Sequence, residues 1–129
     1  MCVKPQIVGK ILSEIKGDLA SSKVLVSIAA GVKTTYIEKY LKKTSKVIRT
    51  MPNLPCSVLK GVFAYKPNKN CTSREVKAFV ELVETSGISL LLKKENDFDT
   101  VTAISGSGPA FLAEYISAQL DYAKSSGIS

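Results

Sequence analysis

A mostly parallel α/β sheet covered on both faces is the fold this sequence predicts, and three observations predict it. Short apolar runs alternate with apolar stripes at helical spacing. Turn-forming residues punctuate most changes of period. The 129 residues, 45% hydrophobic and 22% charged, suit one globular domain and are too few for two full ones.

The elements follow in order. Ile7, Val8, Ile11, Leu12 and Ile15 form a one-sided stripe, with Pro5 suited to the first turn and Gly17 to the stop. Val24 to Ile28 is short and β-rich and closes on Ala29-Ala30-Gly31. Thr34 or Thr35 is suited to cap a short helix carrying Tyr36, Ile37, Tyr40 and Leu41. Val47 to Met51 reads as a strand stopped by Pro52 and Pro55, and Val62 to Tyr65 as another. Thr72 and Glu75 have the spacing of a capping box. The helix they open points Val76, Phe79, Val80 and Val83 inward, with Gly87 as its stop and Ile88 to Leu92 as the next strand. Beyond the charged stretch Lys93–Asp99, a long helix is expected from about Pro109, with Phe111, Leu112, Tyr115, Ile116, Leu120 and Ala123 on one stripe. Nothing nearby in sequence covers that stripe, so it is expected to stay unburied within the chain. No internal repeat or low-complexity tract is present.

Composition excludes several chemistries. The chain has no histidine, which removes serine–histidine catalysis, histidine-assisted cysteine catalysis and histidine metal sites. Cys2, Cys56 and Cys71 form no Cys-x-x-Cys pair and read as free thiols, with no metal expected. No run approaches the roughly 20 apolar residues of a membrane span, and the start lacks the apolar region of a signal peptide. A soluble cytoplasmic chain is the expectation, with the mitochondrion left open. Residues 1–70 carry 13 basic and 3 acidic side chains, against 5 and 8 in residues 71–129. Such a split suits either an anion-binding half or solubilising lysines.

Four segments can carry chemistry, and each has a plain structural alternative. Val3-Lys4-Pro5 stands where a strand ends and a helix begins, so Lys4 either meets an anion or is merely exposed. Ser27 to Val32 runs into small residues around Ala30, which either admit a flat ring or permit a tight turn. Met51-Pro52-Asn53-Leu54-Pro55 either offers the Asn53 amide to a ligand or simply ends a strand. Ser105-Gly106-Ser107-Gly108-Pro109 either presents N–H groups and hydroxyls at a helix start or is a flexible hinge.

In this order, the four segments resemble pyrroline-5-carboxylate reductase over roughly residues 2–128. Ser105 to Phe111, within Thr102 to Phe111, is the most specific match. The resemblance implies an enzyme of proline biosynthesis that reduces the cyclic imine 1-pyrroline-5-carboxylate to proline with NADPH or NADH. It implies residues 1–94 as the C-terminal part of a Rossmann-like dinucleotide-binding domain and 95–129 as the start of an all-α dimerisation domain. A homo-oligomer is therefore expected in the complete enzyme. Val3, Lys4 and Pro5 would lie along the cofactor, Ala30 at its nicotinamide end and Asn53 near the same pocket. Ser105, Gly106, Ser107 and Gly108 would approach the imine substrate. No residue is singled out as catalytic, because hydride transfer needs a nicotinamide held against a protonated imine rather than a protein nucleophile.

Against the family pattern, the glycine-rich phosphate turn and most of the helical domain are absent, Cys2 replaces an alanine and Leu54 a threonine. The chain is therefore expected to be a fragment, inactive alone and binding NADPH weakly or not at all. A hydroxyacid-dehydrogenase-like reductase is a rival, opposed by the Gly-Ser-Gly-Pro run. A non-catalytic basic module binding nucleic acid or a partner protein is another, opposed by few aromatics and no recognisable nucleic-acid motif. Neither nucleic acid nor membrane is expected as a partner.

Overall fold

The computed structural model of the chain describes residues 1–128. A 3-10 turn at Pro5–Ile7 leads into α1 (Val8–Ile15), followed by β1 (Val24–Ser27), α2 (Thr34–Glu38) and β2 (Lys46–Pro52). A second 3-10 turn, Leu54–Val58, precedes β3 (Gly61–Pro67), α3 (Ser73–Glu84) and β4 (Gly87–Leu91). The chain then enters α4 (Asp97–Val101), a π-helical turn at Thr102–Ser107 and α5 (Gly108–Ser125). No helix among the described residues is long and apolar enough to cross a membrane.

The strands lie in the order β1-β2-β3-β4. β1 and β2 are parallel, with Ser27 opposite Arg49, and so are β3 and β4, with Gly61 opposite Gly87. The mostly parallel sheet is as expected, but β2 and β3 run antiparallel, with Thr50 opposite Tyr65. The cause is the short connection from Asn53 to Lys60. It holds only a 3-10 turn, and a parallel return needs a crossover of a dozen residues or more. At the outer side of β1, the Met1 backbone nitrogen donates to the Val26 carbonyl and the Ile28 N–H donates to the Met1 carbonyl. The chain start thus lies alongside β1.

Alternating strand residues feed two cores. Leu25 and Val47 join Val8, Leu12 and Ile37 beneath α1 and α2. Ile48 and Tyr65 face Phe79 and Val83 of α3, with the Tyr65 and Phe79 rings 5.1 Å apart. The α3 stripe points inward as read, and so does the α1 stripe except for Ile7, which precedes the helix in the 3-10 turn and is exposed. A third cluster, Ala64, Leu92 and Phe98, seats the first turn of α4 on the sheet.

One terminator reading needs correction. Gly87 does not stop α3, which ends at Glu84 with right-handed Thr85 as its C-cap. It opens β4 and is required by space, as discussed below. The long helix α5 does open beside Pro109, at Gly108, and it follows α4 without a break through residues 102–107, which are widened into a π turn. Proline lacks an N–H and its ring crowds the preceding turn, so a local π widening allows the helix to continue past it.

The capping box forms. The Thr72 N–H donates to Glu75 Oε2 at 2.8 Å, and Lys46 also pairs with Glu75. The Lys46 ammonium, and then the Thr72 N–H, hold the Glu75 carboxyl down to about 2. A carboxyl lowered on folding stabilises the fold above its unfolded value and loses that contribution as pH falls. The melting-temperature advantage of the wild type over Glu75→Gln is therefore expected in full above pH 4.5 and to shrink as pH falls toward 2. Thermal melts across that range check it; a pH-independent gap would contradict it.

Candidate functional site

Because the chain start, β1 and β2 run the same way, Lys4-Pro5, Ile28 to Gly31 and Pro52-Asn53 all follow the carboxyl ends of neighbouring strands. In open α/β sheets this end carries the ligand crevice. A cleft of about 340 Å³ opens there, walled by Pro5, Gly31, Val32, Lys33, Thr35, Tyr36 and Lys39. Gly31 turns the chain at φ +71°, a left-handed conformation that glycine adopts without strain. Ala30 beside it is exposed, as is Lys4, whose carbonyl accepts the Ile7 N–H at the head of the first turn. Val3 is half-buried and packs on the core under α1. Of the residues expected along a cofactor, only Pro5 lines the cleft itself. Tyr36 stacks at a tilt on Tyr40, ring centroids 5.4 Å apart. The hydrogen bond between their hydroxyls raises the Tyr36 pKa above its ordinary value.

Asn53 and Ser105, 52 positions apart, meet directly. The Asn53 amide donates to the Ser105 carbonyl at 3.2 Å and to its hydroxyl at 2.9 Å. Its side-chain oxygen accepts the Val62 N–H at 2.8 Å. Every polar atom of the side chain thus has a protein partner, so within this chain Asn53 ties the strand end to the helical segment. A methyl placed on Gly106 would lie 3.7 Å from Met51 Cε, so the same strand end also packs on the π turn. The free N–H groups expected at a helix start here are absent as such, because Ser105 and Gly106 lie within a helix that began at Asp97. Ser105 to Gly108 are half-buried against the sheet end. π-Helical turns are frequent at functional sites, where the widened backbone re-aims its groups.

Sequence reasoning missed a second junction. Arg49, in the middle of β2 and only 5% exposed, donates from Nη1 to Glu95 Oε1 at 2.7 Å. Its guanidinium lies 4.0 Å from the centre of the Phe98 ring, in cation–π contact. Glu95 also accepts the Thr34 N–H at 2.9 Å and its hydroxyl. The helix α2 is therefore capped from a distant segment rather than by Thr34 or Thr35. Burial pushes the Glu95 carboxyl up, but the Thr34 N–H and the Arg49 guanidinium together hold it below its ordinary value. A charged residue inside an apolar strand was the available signal for Arg49, since such a group needs a partner. Nothing in the run Lys93-Lys94-Glu95 distinguished Glu95.

Among the described residues no group of histidine, cysteine and carboxylate side chains could hold a metal ion, and the three cysteines are free.

Residues 95–129 match the family model described as pyrroline-5-carboxylate reductase dimerisation. The chain is 37% identical over 128 residues to a pyrroline-5-carboxylate reductase of Methanosarcina acetivorans, covering 99% of this chain and 47% of that protein. Among solved structures, it matches a Plasmodium falciparum pyrroline carboxylate reductase with NADP bound at 39% identity and a TM-score of 0.92, over 99% of this chain and 51% of that one. A Coxiella burnetii pyrroline-5-carboxylate reductase matches at 30% identity and a TM-score of 0.90, over 99% and 48% of the two chains. The chain spans about half the length of the curated relatives it matches.

Proposed function

We propose, from the premise that this chain is related along its whole length to pyrroline-5-carboxylate reductases, that it contributes to the reduction of 1-pyrroline-5-carboxylate to proline. The observation that carries the reading is convergence. Segments around Pro5, Ala30 and Asn53, scattered through the sequence, follow strand ends on the same side of the sheet, where Asn53 also holds Ser105. The cleft there fits the nicotinamide end of a dinucleotide: it has a small-residue turn, an aromatic wall and the two lysines Lys33 and Lys39. Its volume suits part of such a cofactor rather than all of it.

A bound NADPH or NADH supplies the hydride. The residues of this chain position and enclose. Pro5 walls the cleft along the cofactor with Ala30 and Lys4 exposed beside it, the Lys4 ammonium offers a charge to the phosphates, and Val3 backs this strand end from the core. Asn53 holds the Ser105–Gly108 segment against the strand end, which places Ser105 and Ser107 beside the substrate. The half-buried setting limits water around a reacting imine, and geometry rather than a nucleophile sets the rate. Residues 95–129 open a helical dimerisation domain, and the complete enzyme is a homo-oligomer.

The test is a chimera joining this chain to the flanking segments of the Methanosarcina acetivorans reductase. NADPH consumption with 1-pyrroline-5-carboxylate is the expected result; a folded chimera without turnover would refute the reading. In the same chimera, Lys4→Ala and Asn53→Ala are expected to lower kcat/KM roughly tenfold or more, and Lys69→Ala hardly at all. Lys69 lines a different cleft with Lys42, Lys43 and Asn70, beyond the opposite end of the strands. Equal losses at all three positions in steady-state kinetics would undo the site assignment.

A further inference from the structure

We infer that Glu95, held by Arg49, is a positioning residue that fixes the Gly31–Tyr36 wall of the cleft relative to the helical segment bearing Ser105. The inference deepens the proposed function and rests on it for the meaning of the cleft.

The geometry has three parts. The Glu95 carboxylate accepts both the N–H and the hydroxyl of Thr34. Thr34 is itself 6% exposed and sits between Lys33 and Thr35, which both line the cleft. The second part is Arg49, which approaches the same carboxylate from β2 and lies over Phe98. Phe98 is fully buried and belongs to α4, the start of the helix that continues into the Ser105 turn. The third part is the N-terminus of α2: the helix is held lower down by Ile37 in the core and by the Asn68 amide on Glu38, but its first turn has no side-chain cap of its own. A helix of this length is not stable alone, and its first N–H groups need a partner. Glu95 supplies that partner from 61 positions away. One carboxylate therefore joins the cleft wall, the central strand and the helical segment.

Such a group does more than fill space, because its acceptor and its charge have separable roles. Glutamine at this position keeps an oxygen for the Thr34 N–H and loses the charge facing Arg49. Alanine loses both.

The experiment is amide hydrogen exchange on the full chain, followed residue by residue by NMR. In Glu95→Ala, exchange at Thr34 to Tyr36 is expected to rise roughly tenfold, the effect of losing a helix cap. Val80 and Val83 in α3 are expected to keep their protection. Glu95→Gln is expected to restore most of the protection at Thr34 to Tyr36. Removing Glu95 alone leaves Arg49 buried and unpaired, which can unfold a domain. The double variant Arg49→Met/Glu95→Ala then carries the measurement, with the same local loss expected. Unchanged exchange at Thr34 to Tyr36, an equal rise at Val80 and Val83 in the double variant, or no rescue by glutamine would each overturn the inference. A second readout, in the chimera with the flanking segments because the chain alone is expected to bind NADPH weakly or not at all, is the NADPH-induced shift of the Gly31 and Val32 amides. It is expected in the wild type and in Glu95→Gln and expected to be lost in Glu95→Ala. No shift in the wild type counts against the dinucleotide reading of the cleft, while hydrogen exchange still decides the role of Glu95.

Discussion

Gly87→Ala is expected to destabilise the chain by about 3 kcal/mol, and to lower its Tm by roughly 10 °C. The reason is the neighbouring strand rather than glycine's conformational freedom, since Gly87 is not among the residues with positive φ. A Cβ at Gly87 would stand 2.1 Å from the carbonyl oxygen of Gly61, its partner across β3 and β4. Backbone cannot swing aside as the end of a lysine can. Gly61 cannot retreat either, because its own Cβ position lies 2.5 Å from Cys56 Cβ in the preceding turn. The alanine must therefore open the first rung of the β3–β4 pair, where Gly61 also donates its N–H to the Ser86 carbonyl at 3.1 Å. Gly17→Ala is the control: nothing lies within 4 Å of its Cβ position, and the substitution is expected to be neutral or slightly stabilising. Thermal melts of the two variants give the comparison. A Gly87→Ala chain as stable as the wild type would show that these strands do not approach so closely.

Gly87 also shows what a linear reading misses. A glycine after an amphipathic helix reads as a stop because that is the commonest reason for one there. Close approach of another strand gives the same letter in the same place, and only the pairing of Gly61 with Gly87 tells the two apart. The strands and the helical stripes were legible because burial on a sheet imposes its periodicity on the sequence. Strand direction was legible only through connection length. The run from Asn53 to Lys60 contains no helical stripe, so it could not bridge two parallel strands, and the antiparallel step at β2–β3 follows.

For the candidate site, the segments around Pro5, Gly31, Asn53 and Ser105 could be picked out because small residues, prolines and amides at strand ends are locally unusual. Their mutual contacts could not. The Asn53–Ser105 hydrogen bonds and the Glu95–Thr34 cap join positions 52 and 61 apart, and no local pattern encodes such a separation. The glycines and Pro109 suggested a break, whereas the backbone runs on through a widened turn that holds Gly106 and ends just before Gly108 and Pro109 open α5.

Phe111→Glu combined with Ile116→Glu is expected to abolish the self-association proposed for α5, weakening it on the order of 100-fold or more. Along α5, Phe111 is 72% exposed, Tyr115 62%, Ile116 46% and Leu120 54%. At 3.6 residues per turn they spread over about half of the helix circumference, with Phe111 and Leu120 at its two edges. The helix does not fold back onto the sheet, although its first turns at Phe98 and Val101 pack there. Exposed apolar side chains in this number on one helix are the mark of an interaction surface. The match of residues 95–129 to the family model described as pyrroline-5-carboxylate reductase dimerisation supports a second copy of the chain as the proposed occupant. Two glutamates at the centre of such an interface would be buried without partners, so most of the penalty falls on the associated state. The folded monomer loses little, because both side chains already face outward. Sedimentation at several concentrations, with a thermal melt beside it, separates the outcomes. Concentration-dependent association in the wild type, absent from the double variant at unchanged Tm, is the expected result. A wild-type chain that stays monomeric at every concentration would rule out this face as the surface for a second copy.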